Sequence, residues 1–170
     1  MQKQNGFSLI ELLIVVAIIL IIAAIAIPNL LRARIAANDS SAAASIRMIN
    51  TGEIGYFSAY STIGFPLALT TLGGAAPCTP LPTSACLIDN NLATNGAGNG
   101  KSGYNFNATG SASAGSLIND QFYSTGTPLG IQYGTRSYCS IEDAVLRIQP
   151  AGTITLVGSY NACSLLFAMQ

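Results

Sequence analysis

Hydrophobic and polar positions divide the chain into three regions of different periodicity. From Phe7 to Ile27 almost every position is apolar, and only Ser8 and Glu11 interrupt the run. A helix rises about 1.5 Å per residue, so this run reaches about 30 Å, the thickness of bilayer hydrocarbon. Pro28 follows inside what otherwise stays a helical pattern, where it deletes a backbone hydrogen bond and predicts a kink. Asn29-Leu30-Leu31-Arg32-Ala33-Arg34 then resumes with good helix formers and no turn residues, so the helix is expected to continue past the proline.

From Ile35 to Tyr60 the pattern becomes amphipathic. Ile35, Ala42, Ile46, Ile49, Glu53, Phe57 and Tyr60 recur along one helical stripe, and Glu53 alone on it is not apolar. Asn38, Asp39, Ser41, Ser45, Arg47 and Asn50 are predicted on the opposite side, so this half should lay one face on a folded head. Gly52 and Gly55 weaken the last turns, and the helix is predicted to stop between Tyr56 and Ser61. Beyond Thr62 the composition shifts to Gly, Pro, Ser, Thr and Asn, and Leu92 to Gly103 is expected to be irregular. Strand-forming runs follow at Tyr104–Phe106, Gln121–Tyr123, Leu129–Tyr133, Arg136–Ser140, Ala144–Ile148 and Thr153–Val157, with a turn at Ser140 to Asp143. The class is α+β: a long N-terminal helix packed on a small antiparallel sheet of about four strands.

Composition narrows the functions available. Of 170 residues half are hydrophobic and 8% charged, with formal charge zero, which leaves room for one membrane helix and one modest head. There is no basic field for nucleic acid. The absence of histidine, with few acids, leaves metal ligation and proton transfer poorly supplied, and no cofactor is implied. Nucleophilic and phosphate-binding motifs are absent, and the run from Gly96 to Gly103 lacks the strand and helix flanks that give such loops meaning. Asp89, Asn90 and Asn91, or Glu142 and Asp143, offer oxygens to calcium, though adjacent hard ligands are more often a solvated turn. Asn38-Asp39-Ser40 and Asn107-Ala108-Thr109 have the form of glycan acceptor sites.

Glu11 changes the picture most. A carboxylate within hydrocarbon costs about 2.5 to 3.5 kcal/mol on insertion scales, so it needs a partner. Lys3 is the nearest cation in the sequence and precedes the apolar run, which points to a partner on another chain. A removable secretory signal has a shorter apolar region and no acid at its start, whereas a plain single-pass anchor matches in length and differs only by Glu11. Arg32 and Arg34 after the span offset Lys3 before it, so basic residues do not set the orientation.

The polar start with Lys3 and Gly6, then Phe7-Ser8-Leu9-Ile10-Glu11-Leu12-Leu13 running into the apolar stretch, resembles the class III signal of type IV pilins and type II secretion pseudopilins. The resemblance implies that a prepilin peptidase cuts after Gly6 and methylates the new amine of Phe7. It also implies that Glu11 pairs with that amine on a neighbouring subunit, and that Pro28 lies where related helices extend in filaments. The expected divisions are a leader at 1–6, a filament-core half-helix at 7–30, an amphipathic half at 31–61 and a β head at 62–170. Gly64-Phe65-Pro66 with Leu67 to Gly74 resembles the loop joining helix to sheet in both branches. The implied function is a structural subunit, a homo-oligomer built by pilus or secretion machinery, inserted in the bacterial inner membrane and then carried into a surface pilus or a periplasmic pseudopilus. A tethered monomeric binding protein and an anchored enzyme are the rivals, the latter lacking acid and base residues.

Cys78, Cys86, Cys139 and Cys163 are even in number, and a chain that leaves the cytoplasm favours disulfides over metal. Proximity suggests Cys78 with Cys86 and Cys139 with Cys163, one of three possible connectivities. Pilins that the chain resembles often bracket a C-terminal loop in this way.

Overall fold

A computed structural model describes residues 8–150 and 152–169, so Gly6 and Phe7, the proposed cleavage and methylation positions, lie outside the described residues. Helix α1 spans Leu9–Ala59 without interruption, Pro28 included. Its end falls where glycines and then Ser61-Thr62 weaken helical preference. The chain divides into two compact units between Arg34 and Ile35.

Up to Leu31 the first unit is apolar all round and exposed on nearly every side, from Leu9 at 79% to Leu30 at 71%. In water such a surface would drive association, because apolar area left in contact with solvent is unfavourable.

The second unit is an antiparallel five-stranded sheet packed on the amphipathic half of α1. Strands β1 (Tyr104–Ser111), β2 (Gln121–Pro128), β3 (Tyr138–Ile141), β4 (Arg147–Ile148) and β5 (Phe167–Ala168) pair in simple chain order. β1 and β2 match over their whole length, from Tyr104 opposite Pro128 to Ser111 opposite Gln121. One sheet face, bearing Tyr104, Phe106 and Ala108 on β1, joins Ala42, Ile46, Ile49 and Tyr56 of α1 in the main core. The other face carries a smaller cluster of Cys139, Ile141, Val157 and Cys163, with Tyr123, Tyr160 and Leu166 against it. A short helix α2 (Asn90–Ala93) and a short helix α3 (Tyr160–Ser164) complete the head.

The structure differs from the sequence reading in definite places. β1 and β2 are each eight residues long, not three, because small residues (Ser124, Gly126) lie where the strand passes under α1. A Cβ on Gly126 would meet the Phe106 ring at 3.0 Å and Ile46 at 3.5 Å. Leu129–Tyr133 is a turn: Leu129 N–H donates to Gly103 and Tyr133 N–H to Gly130, which leaves Ile131 74% exposed. Thr153–Val157 is not a strand, because β5 occupies the edge beside β4, pairing Ile148 with Phe167. The irregular loop after α2 holds a succession of left-handed residues at Asn95, Gly96, Ala97 and Gly98. Asn95 turns this loop to use by accepting from the Phe106 N–H and donating to its carbonyl, which caps part of the free edge of β1.

Candidate functional site

Among the described residues the features with chemical consequence lie along α1. At its start Ser8, Leu9, Ile10 and Glu11 form the S-x-x-E pattern in which a carboxylate at the third helical position reaches back to the residue before the helix. The Ser8 N–H donates to Glu11 Oε2 at 3.0 Å. Within a single chain, then, the Glu11 carboxylate is drawn to the start of the helix, where free N–H groups and the helix dipole favour negative charge. The sequence reading treated Glu11 only as a group awaiting a partner. The capping pattern was visible in the same four letters.

Pro28 is accommodated within α1. Ile27, Leu30, Leu31 and Arg34 flank it on one face and line a shallow groove of about 200 Å³. Arg32 and Arg34 are both exposed.

In the head, α1 is fastened by polar contacts as well as by its apolar stripe. Ala42, Ile46, Ile49 and Glu53 are fully buried, whereas Ile35, Phe57 and Tyr60 are half-buried. The side predicted to face solvent is buried in part: Ser45 and Asn50 are enclosed, and Asn38 and Asp39 are half-buried. Each meets a partner, which is why burial is tolerated there. Asn50 Nδ2 donates to Ser140 Oγ at 2.8 Å, and Ser124 Oγ donates to Asn50 Oδ1 at 3.0 Å. Lys101 Nζ donates to Ser45 Oγ at 2.9 Å. Asp39 receives the Tyr104 hydroxyl at 2.5 Å and the Thr135 hydroxyl at 2.7 Å, so the turn after β2 is tied to the helix. Burial, followed by the Asp39 carboxylate, raises the Tyr104 phenol well above its ordinary value.

Glu53 is the exception. It is 0% exposed, and neither carboxyl oxygen has a hydrogen-bond partner among the described residues. Loss of hydration disfavours the charged form and pushes its pKa up to about 8. The sequence placed Glu53 on the apolar stripe but offered no sign that nothing would neutralise it.

Cys78 is bonded to Cys86 and Cys139 to Cys163, with Cα separations of 6.1 and 5.9 Å. The second bridge ties α3 to β3, and both its cysteines are fully buried. Of the oxygens considered for calcium, the three carboxylates each have a partner within the chain. Asp89 caps α2 by accepting from Asn91 and Leu92 N–H, Asp143 pairs with Arg147, and Glu142 accepts from the Tyr160 hydroxyl. Arg147 holds the Asp143 carboxyl below its usual range. No cluster of three His, Cys, Asp or Glu side chains occurs among the described residues.

Comparison with known proteins meets the chain at this same N-terminal region. Residues 1–27 match the model of the prokaryotic N-terminal methylation motif. The chain is similar to the type IV wide pilus major component of Thermus thermophilus, 65% identical over 40 residues, which is 24% of this chain and 30% of that protein. It is also similar to the type IV major pilin of Myxococcus xanthus, 45% identical over 56 residues, 33% of this chain and 26% of that one. The matched regions thus span less than a third of either relative's length. No solved structure matches the chain.

Proposed function

We propose that the chain is a structural subunit of a type IV pilus-like filament, resident in a bilayer through its first helix and polymerised through that same helix. One observation carries this: α1 begins with a surface apolar on all sides that bears a single carboxylate, inside a segment matching the N-terminal methylation motif. Hydrocarbon accepts such a helix before assembly, and a bundle of identical helices replaces lipid contact with van der Waals contact afterwards. Cleavage after Gly6 creates an amine at Phe7, which the peptidase methylates. Pairing that amine with Glu11 of a neighbouring copy leaves no charge unpaired in the filament core, and it sets register more than it adds stability. Until then the Ser8 N–H holds the carboxylate in place.

The two relatives are both named as pilus components, which supports a surface pilus over the secretion pseudopilus that the same signal also serves. The work done is assembly, with the pilus machinery and the prepilin peptidase as partners. Electron microscopy and intact-mass analysis of sheared cell-surface material test this. Filaments of this chain beginning at methylated Phe7 are expected. Glu11→Leu should be cleaved normally yet fail to enter filaments, while Gly6→Val should accumulate uncleaved. A Glu11→Leu variant with ordinary filament yield would refute the pairing, and a chain that stays monomeric in the envelope would favour a tethered binding protein.

A further inference from the structure

The charges at the two ends of the apolar stretch share a spacing that the filament reading does not use. Glu11 is the one charged residue between Leu9 and Leu31, and Arg32 and Arg34 are the next along α1. Arg32 lies 21 residues after Glu11, about 32 Å of helix against about 30 Å of hydrocarbon. With Arg32 at one interface, Glu11 therefore lies at the opposite edge of the apolar layer and not at its centre, where a charge costs most.

Both arginines are exposed, and the ion pair among the described residues joins Arg147 to Asp143 and involves neither. Two residues apart on a helix, they project to different sides. Arg34 lines the groove of about 200 Å³ together with Ile27, Leu30 and Leu31, so three apolar side chains are followed on the same face by a guanidinium. An acyl chain beneath a phosphodiester has that same order of apolar and anionic parts. Guanidinium binds phosphate through paired N–H donors, and its stem can lie along hydrocarbon while the head stays at the surface.

We propose that Arg32 and Arg34 bind the phosphodiester headgroups of the leaflet at the C-terminal end of the span. Held from two sides, the helix keeps a fixed depth, and Glu11 waits in the opposite interface until assembly. This rests on the bilayer-resident stage proposed above. Extraction into a filament then requires release of these headgroups.

The chain contains no tryptophan, so Ala33→Trp in the full-length protein provides a unique tryptophan between the two arginines and outside the groove lining. The protein is reconstituted in phosphatidylcholine vesicles whose acyl chains carry bromine at either a shallow or a deep position. With both arginines present, shallow bromines should quench more. With Arg32→Gln and Arg34→Gln together, the quenching maximum should move inward by as much as about one helical turn, ~5 Å. Identical depth profiles would overturn the proposal. So would a shift of the arginine-bearing chain by millimolar inorganic phosphate, which would mean that the site takes free phosphate, or a shift seen only at high protein-to-lipid ratio, which would assign the arginines to a second copy. Quenching by neither lipid would instead refute the bilayer-resident stage itself, and this proposal with it.

Discussion

Glu53→Gln separates the one buried, unpartnered carboxyl among the described residues from everything else that titrates in the head. In the folded chain Glu53 keeps its proton up to about pH 8, whereas its ordinary value is 4.5. Between those values the folded state holds a proton that the unfolded state has released. Stability is therefore greatest below about pH 4.5 and falls as pH rises, by about 1.4 kcal/mol per unit, levelling once the folded carboxyl ionises near pH 8. The full span amounts to about 5 kcal/mol, a ceiling that any opening admitting water reduces. The window is unusually clean, because the chain has no histidine. Asp120 and Asp143, whose values are lowered by Ser113 and Arg147, act only at more acid pH and with opposite sign. Urea denaturation of the full chain in detergent, followed by tyrosine circular dichroism from pH 5 to 8, should show a falling midpoint for the native sequence and a flat one for Glu53→Gln. Glutamine leaves an unpaired amide in the same place, so its midpoint at pH 5 is expected to be no higher than the native one. Parallel profiles for the two proteins would show that Glu53 is hydrated or paired and refute the reasoning.

Three further pairs of perturbations probe how the head is held together. Gly55→Ala should stabilise the head by about 1 kcal/mol, since its Cβ meets Leu87 at an ordinary 3.6 Å, whereas Gly52→Ala brings a Cβ to 2.8 Å from Ile88 and should gain nothing; thermal melts compare them. Asn50→Ala takes away two buried hydrogen bonds, leaving Ser140 its bond to the Val145 carbonyl and Ser124 a long one to the Ser140 carbonyl, and should cost about 2 kcal/mol in urea titration, while Asn38→Ala, at a half-buried site, should cost less. Replacing Cys139 and Cys163 by alanine opens a loop of 24 residues and should cost about 3 kcal/mol on a chain-entropy basis, with added loss from the buried sulfur; the same change at Cys78 and Cys86, separated by 8, should cost less.

The extent of α1 followed from sequence alone, because it rests on local preferences. An unbroken apolar run selects its solvent, and good helix formers on both sides of Pro28 outweigh one missing hydrogen bond. Glu11 was legible for the same reason: a lone carboxylate in such a run stands out without any coordinates. The α+β class was legible as well, since helical periodicity ceases after Tyr60 and β-leaning runs take over.

The sheet's extent was decided by tertiary contact. Ser124 and Gly126 have weak strand preference, yet β2 runs through them because α1 passes close by and leaves no room for larger side chains. Leu129–Tyr133 has the better strand composition and is a turn, closed by the Tyr133 and Gly134 N–H groups on the Gly130 carbonyl. Phe167–Ala168 became a strand because β4 had an open edge beside it, and nothing in those two residues announces that. Ser45, Asn50 and Asp39 looked like solvent positions until hydroxyls and amides from distant strands met them. Glu53 is the mirror case, buried by the same helix packing with no group brought opposite. Periodicity assigns a residue to a face, but whether a polar group on that face finds a partner depends on residues far away in the chain, and only folding brings those together.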